Sequence, residues 1–224
     1  MMYNSPLVEF LYSISFLSIF LSFIIGLLRI KYLKKTDYLF FFLILIGIVT
    51  ELASTIYSWY FKLPNSFILN VYEIIETLMV FYFYCILFNI SKKKIFISVS
   101  LFGIFCLIDF NYSYGNRHYG YHMIIESLMA IVFSLLAFQF PLRKFHVTNI
   151  YQSNMFWYNS ALFIYFTSCF FLSLFMNYML ENDMKLFFYA WGICHSIANI
   201  ILNMLIAIGF WKSKHQTAFK TLTN

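Results

Sequence analysis

"NVYEIIETLMVFYFYCILF", residues 70–88, decides the fold class. Almost every residue in it is one that lipid accepts, yet Glu73 and Glu76 stand one helical turn apart. A hydrocarbon core about 30 Å thick is crossed by about 20 predominantly apolar residues in a helix. The run has that length. Residues three apart share a helix face, so the two carboxylates can both turn away from lipid, towards other protein. The stretch predicts a membrane-spanning helix whose polar face belongs inside a bundle.

The whole chain agrees. Of 224 residues, 62% are hydrophobic and 11% charged, with a mean hydropathy of +0.77. Soluble domains carry about 25% charged residues. The net charge of +6 does not indicate nucleic acid, because the basic residues sit in short loops between apolar runs. Seven such runs stand out: 7–28, 38–60, 66–90, 95–111, 121–140, 155–180 and 186–211. The fourth is the shortest and should leave the membrane near Asp109. Pro141 should stop the fifth, and Pro64 lies in the loop before the third.

Arg29, Lys31, Lys34 and Lys35 follow the first run, Lys92, Lys93 and Lys94 the third, Arg143 and Lys144 the fifth, and Lys212, Lys214 and Lys220 the seventh. Lys62, Arg117 and Lys185 lie on the other side. The positive-inside rule makes the rich side cytoplasmic. The expectation is an all-α, polytopic seven-helix bundle with its N-terminus outside and C-terminus cytoplasmic. Residues 1–212 form one membrane domain and 213–224 a short basic tail, in the inner membrane of a bacterium. Trp59 and Trp211 suit the interface, and Trp157, Tyr158 and Asn159 suit an interface anchor or a docking surface. No cleavable signal peptide is read before the first run. No loop is long enough for a soluble domain, so any signalling output belongs to another polypeptide. Cys85, Cys106, Cys169 and Cys194 lie in apolar runs without CxxC spacing and read as buried free thiols.

The opening stretch has an echo. "IIETLMVFYFYCILF" (74–88) aligns without gaps to "IIESLMAIVFSLLAF" (124–138), with seven of 15 positions identical and Glu76 facing Glu126. A weaker third copy, "CHSIANIILNMLIAIGF", puts His195 at the glutamate position. All three lie in odd-numbered runs, so the repeat is parallel, unlike the inverted repeats of transporters.

A charged residue at the bilayer centre costs about 2.5–3.5 kcal/mol on insertion scales. Partners inside a bundle reduce that cost. Gly47, Glu51, Ser54 and Ser58 share one face of the second run; Asn70, Glu73, Glu76 and Thr77 one face of the third. His122 and Glu126 are four apart in the fifth. Gly192, His195, Ser196, Asn199 and Asn203 form a stripe in the seventh. The ionisable members lie in the outer half. They predict an outward-opening pocket with Glu51, Glu76, Glu126 and His195 at its core, Glu73 and His122 near its mouth, and Asn199 contributing. The competing reading is helix glue, since small and polar residues also join membrane helices. His122, Glu126 and His195 are the candidates for a metal, with His118 nearby, but no HxxxH or HExxH lies within a run. No GxSxG or phosphate loop is present. The chain is therefore not expected to be an enzyme or to hold a cofactor.

"NVYEIIE", "IIESLM", "FWYNSALFIYF" and "CHSIANIILNMLIAIGFWK" together resemble small seven-helix membrane proteins of Bacteroidota, whose comparable modules stand beside or are fused to histidine kinases. The resemblance implies a sensory or signalling-associated role and assigns no catalytic residue. The leading expectation is a sensor or receptor-like module, with a small extracytoplasmic ligand or ion in the outer pocket, lipid around it and a cytoplasmic partner such as a histidine kinase. A transporter or proton/cation channel is the alternative, disfavoured by few polar groups in the inner half. An intramembrane metal-dependent hydrolase is third.

Overall fold

The computed structural model describes residues 5–62, 65–116, 121–144 and 150–222, and these form helices and turns with no strand. In chain order they are α1 (Pro6–Leu28), α2 (Lys35–Trp59), α3 (Ser66–Leu87), α4 (Lys92–Asn116), α5 (His122–Lys144), α6 (Asn154–Asn182), α7 (Met184–Ala190) and α8 (Ser196–Leu222). A π-helical turn, Trp191–His195, joins α7 to α8. Short 3₁₀ turns, Ile30–Tyr32 and Ile150–Gln152, precede α2 and α6.

Among the described residues, six helices are long and apolar enough to cross a membrane: α1, α2, α3, α5, α6 and the joined stretch Met184–Ser213. The fourth expected span has only a shorter apolar helix, Ser100–Asp109, inside α4. The apolar stretch of α4 ends at Asp109, the expected membrane exit, although the helix itself continues to Asn116. α5 runs through Pro141 to Lys144; proline falls in the last turn, where few backbone bonds remain to be broken. The last helix passes Trp211 and continues to Leu222. Pro64 and His118 lie outside the described residues.

Which side chains face inward identifies the surroundings. In α1 the buried residues are Ser15, Ser18, Ser22 and Gly26. Its exposed side chains include Leu17 (63%) and Leu28 (71%). A water-soluble helix would bury the leucines. In lipid there is no hydrophobic gain from joining helices, so close approach and hydrogen bonds hold them together instead. This is a multi-pass membrane protein.

α1 and α8 run parallel in a hydroxyl–amide seam. Asn199 donates to Ser15 Oγ at 2.9 Å, Asn203 to Ser18 Oγ at 2.9 Å, and Ser22 Oγ to the Asn203 carbonyl at 2.6 Å. At one end of the seam a Cβ on Gly192 would stand 2.5 Å from Val8; at the other, one on Gly26 would stand 2.7 Å from the Phe41 ring. α6 packs against both α8 and α5.

α3 and α5, which carry the two copies of the repeat, lie side by side and parallel. Glu73 reaches His122 near their starts, and the Tyr84 hydroxyl meets Ser134 Oγ at 2.6 Å further along. Tyr84 and Ser134 are themselves equivalent repeat positions, 50 apart like Glu76 and Glu126. Because α3 and α5 start at the same end, α4 carries the chain back along the bundle, and its Asp109 reaches the start of α5. Towards the basic end the core is aromatic. Phe40 stacks on Tyr158 at 4.2 Å and meets Phe83 edge-on at 4.9 Å, and Tyr158 meets Phe210 at 5.8 Å.

All four cysteines are free. Cys85 and Cys106 are buried as expected, Cys169 is half-buried and Cys194 is exposed. Cys194 lines an apolar groove with Phe171 and Leu172 of α6 and Leu186 of α7.

Candidate functional site

The repeat positions set the site. Glu76 on α3, Glu126 on α5 and His195 in the π turn, the three residues aligned by the internal echo, line one cavity of about 40 Å³. α6 closes it with Tyr165 and Cys169. Glu76 is 4% and Glu126 6% exposed, so both carboxyls are withdrawn from the surroundings. No Lys or Arg side chain is among the lining residues.

Local contacts surround each group. The Tyr72 hydroxyl, one turn before Glu76 on α3, lies beside the Glu76 carboxyl. Thr77 meets Glu126, and its hydroxyl also donates to the Glu73 carbonyl at 2.8 Å. His195 stacks flat on Trp191, with ring centroids 4.7 Å apart and planes 9° from parallel, and its Nε2 lies 3.4 Å from the Tyr165 hydroxyl. π turns inside α-helices are frequent at functional sites. Here the turn delivers His195 to the cavity.

Glu73 and His122 sit together at one side of this cavity. Glu73 lines it, and its side chain is 21% exposed. His122 is buried: its Nδ1 lies 2.7 Å from Asp109 Oδ2, and the same oxygen accepts the His122 backbone N–H at 2.9 Å. Asp109, at the expected membrane exit, is also a buried partner from α4.

Two expected pocket residues are elsewhere. Glu51 does not line the cavity; on α2 it takes the Tyr12 hydroxyl from α1. Its link to the cavity is indirect, through the field it shares with Glu76 and Glu126 at Tyr72. Asn199 belongs to the α1–α8 seam, bonded to Ser15. It faces α1, whereas His195 faces the cavity and Tyr165 on α6. Of the metal candidates, Glu126 and His195 share the cavity and His122 does not line it; among the described residues no group of three or more His, Cys, Asp or Glu is placed to hold a metal ion.

A second polar cluster lies at the basic end and was not foreseen. Asp37, in the first turn of α2, accepts from the Lys34 backbone N–H at 2.8 Å, Asn154 Nδ2 at 2.5 Å and Ser213 Oγ at 3.2 Å. All three side chains are fully buried. The Tyr158 hydroxyl approaches Asp37 without reaching hydrogen-bond geometry. This carboxylate ties the starts of α2 and α6 to α8 at Ser213. The sequence signal is an acidic residue three positions past a helix start, the place of a cap. A third group joins the middle: Tyr84 donates to Asn159 Oδ1 at 3.0 Å, and Asn159 Nδ2 donates to the Ser134 carbonyl at 3.0 Å. Tyr158 and Asn159 are thus internal (0% and 3% exposed), not interface anchors or a docking surface. The basic half of the bundle is richer in polar groups than expected.

Chemically, two carboxyls and an imidazole around a space this small suit a proton or a small cation. Pockets for drug-sized ligands run to about 300 Å³ or more, whereas a single water needs about 10–15 Å³. Comparisons with protein-family models, curated proteins and solved structures each find no match.

Proposed function

We propose that the chain is a seven-span membrane sensor that takes up a proton or small cation from the outer face, in the cavity of Glu76, Glu126 and His195. The observation that carries this reading is the convergence of three aligned repeat positions, from separate helices, on one small cavity without Lys or Arg. Two carboxylates in a low-dielectric space repel each other, and a bound cation or proton removes that cost. The site and the bundle are therefore coupled: an occupant draws α3, α5 and the π turn together, and an empty site does not.

Seven spans are supported by the parallel course of α3 and α5, which requires α4 to return across the bilayer. Twelve Lys and Arg at one end support a cytoplasmic C-terminus and an outer N-terminus, in the inner membrane of a bacterium. The resemblance to seven-helix proteins of Bacteroidota supports a cytoplasmic partner of the histidine-kinase kind. The transport alternative has less support. Phe40, Phe83 and Phe210, each at most 2% exposed, fill the core between the Tyr84 junction and Asp37.

The test is ligand-dependent stability in lipid nanodiscs, with Na⁺, K⁺, Ca²⁺ and H⁺ varied one at a time. An occupant at 100 times its Kd adds about 2.7 kcal/mol. At least one of these ions should stabilise the wild type, and Glu76→Gln with Glu126→Gln should abolish the shift. A shift of equal size in the double variant would remove the cavity from the account, as would no shift in the wild type.

A further inference from the structure

The His122 imidazole is held on one side and open on the other. Asp109 fixes Nδ1 at 2.7 Å. Nε2 faces Glu73 Oε2 at 3.5 Å, close enough for an ion pair, yet neither atom has a hydrogen-bond partner and both are buried. An unmatched buried donor or acceptor costs about 1–3 kcal/mol, so a pair of them facing each other calls for an explanation. Helix capping accounts for Asp109, which accepts the His122 backbone N–H. It does not account for Nε2. Glu73 occupies two settings at once: it faces His122 and it lines the cavity, and it is the most exposed of the three cavity glutamates.

We propose that Glu73 and His122 form the proton port of the Glu76–Glu126 cavity, so that the occupant exchanged with the outer face is H⁺. This rests on the reading of the cavity given above and names its ligand. The step moves one proton and nothing else. A hydronium ion at the outer face gives a proton to Glu73: one hydronium O–H breaks, leaving water, and the Glu73 O–H forms. Glu73 then passes it to Glu76, one turn along the same helix face, or lends it to His122 Nε2 across the 3.5 Å gap. When His122 holds it, an imidazolium sits between two carboxylates; when His122 returns it, a neutral ring faces a protonated Glu73. Asp109 takes no proton and is a positioning residue: it keeps Nδ1–H as donor and leaves Nε2 free for exchange. The groups that face His122 are Glu73 from α3, Asp109 from α4 and, one turn along α5, Glu126. Buried Cys106 stands one turn before Asp109.

The experiment follows the carboxylic C=O stretch of the full chain in nanodiscs by infrared spectroscopy, after a switch from H₂O to D₂O. Glu76→Gln and Glu126→Gln identify the cavity's share of the band. Glu73→Gln should slow deuteration of that share by about a hundredfold, the size of a positioned acid–base group. His122→Ala, which leaves the direct step from Glu73 to Glu76, should slow it about tenfold, and added imidazole should restore the rate, which a merely structural role would not allow. A His122→Ala protein that fails to fold is replaced by Asp109→Asn, which keeps the ring and should slow exchange less. Wild-type rates in Glu73→Gln and in the folded His122 or Asp109 variant overturn the port while leaving the cavity reading standing. A band unchanged by Glu76→Gln and Glu126→Gln overturns both.

Discussion

Removing the hydroxyl of Tyr84 tests whether the two halves of the repeat are fastened where the bundle brings them together. Tyr84 is 1% exposed, so water does not replace a lost partner. Its hydroxyl touches Ser134 Oγ at 2.6 Å and donates to Asn159 Oδ1 at 3.0 Å. Interhelical hydrogen bonds in a membrane protein average about 0.6 kcal/mol, with a maximum near 1.7. Two lost bonds therefore amount to about 1–2 kcal/mol. Asn159 Oδ1 is left facing a ring carbon, which raises the total for Tyr84→Phe to about 2 kcal/mol. Ser134→Ala removes one of the two contacts and should cost about half as much. The pair belongs in a double-mutant cycle, because only the coupling isolates their mutual contact. Unfolding in mixed detergent–denaturant micelles supplies the four free energies. The expected coupling is about 0.6–1.7 kcal/mol, the range for such bonds. A coupling within error of zero, with both single variants destabilised, would mean that the two hydroxyls do not meet. The side-by-side placement of α3 and α5 would then be wrong.

Other variants probe other joints of the bundle. Asn203→Ala takes the amide from the α1–α8 seam, where it donates to Ser18, and should lower stability by about 1–2 kcal/mol in the same unfolding assay. Gly209→Ala places a Cβ 2.3 Å from Tyr158 Cε1; overpacking of that kind costs about 1–3 kcal/mol, measurable as a fall in Tm, whereas Gly103→Ala, with open space around its Cβ, should leave Tm nearly unchanged. Orientation is read with single cysteines on a cysteine-free background: Tyr121→Cys should react with a membrane-impermeant maleimide in spheroplasts and Lys93→Cys only after lysis. Equal labelling of the two would show that α4 does not cross.

Much of the candidate site was legible in the sequence, and the reason is periodicity. Glu73 and Glu76, or His122 and Glu126, share a helix face whatever surrounds them, and a carboxyl in an apolar run has to turn inward. The aligned repeat went further, since equivalent positions on parallel helices come to the same depth. That is why Glu76, Glu126 and His195 were found as a group. The polar neighbours of Asp109 mark the end of the apolar stretch of α4, as found; that Asp109 is also the partner of His122 carries no local signal, because His122 lies on another helix. Asp37 was passed over for a similar reason, as a residue among loop lysines whose partners Asn154 and Ser213 come from distant helices.

The sequence by itself determined that this chain crosses a membrane several times, that its basic residues gather at one end, and which side chains on each helix avoid lipid. These follow from hydropathy, helix length and the fixed pitch of the α-helix, all local properties. Only the tertiary structure decided which neighbour each polar face meets. Rotation of one helix against another is set by contacts between helices, such as Gly192 against Val8 and Ser15 against Asn199. Those contacts leave His195 in the cavity and Asn199 in the seam.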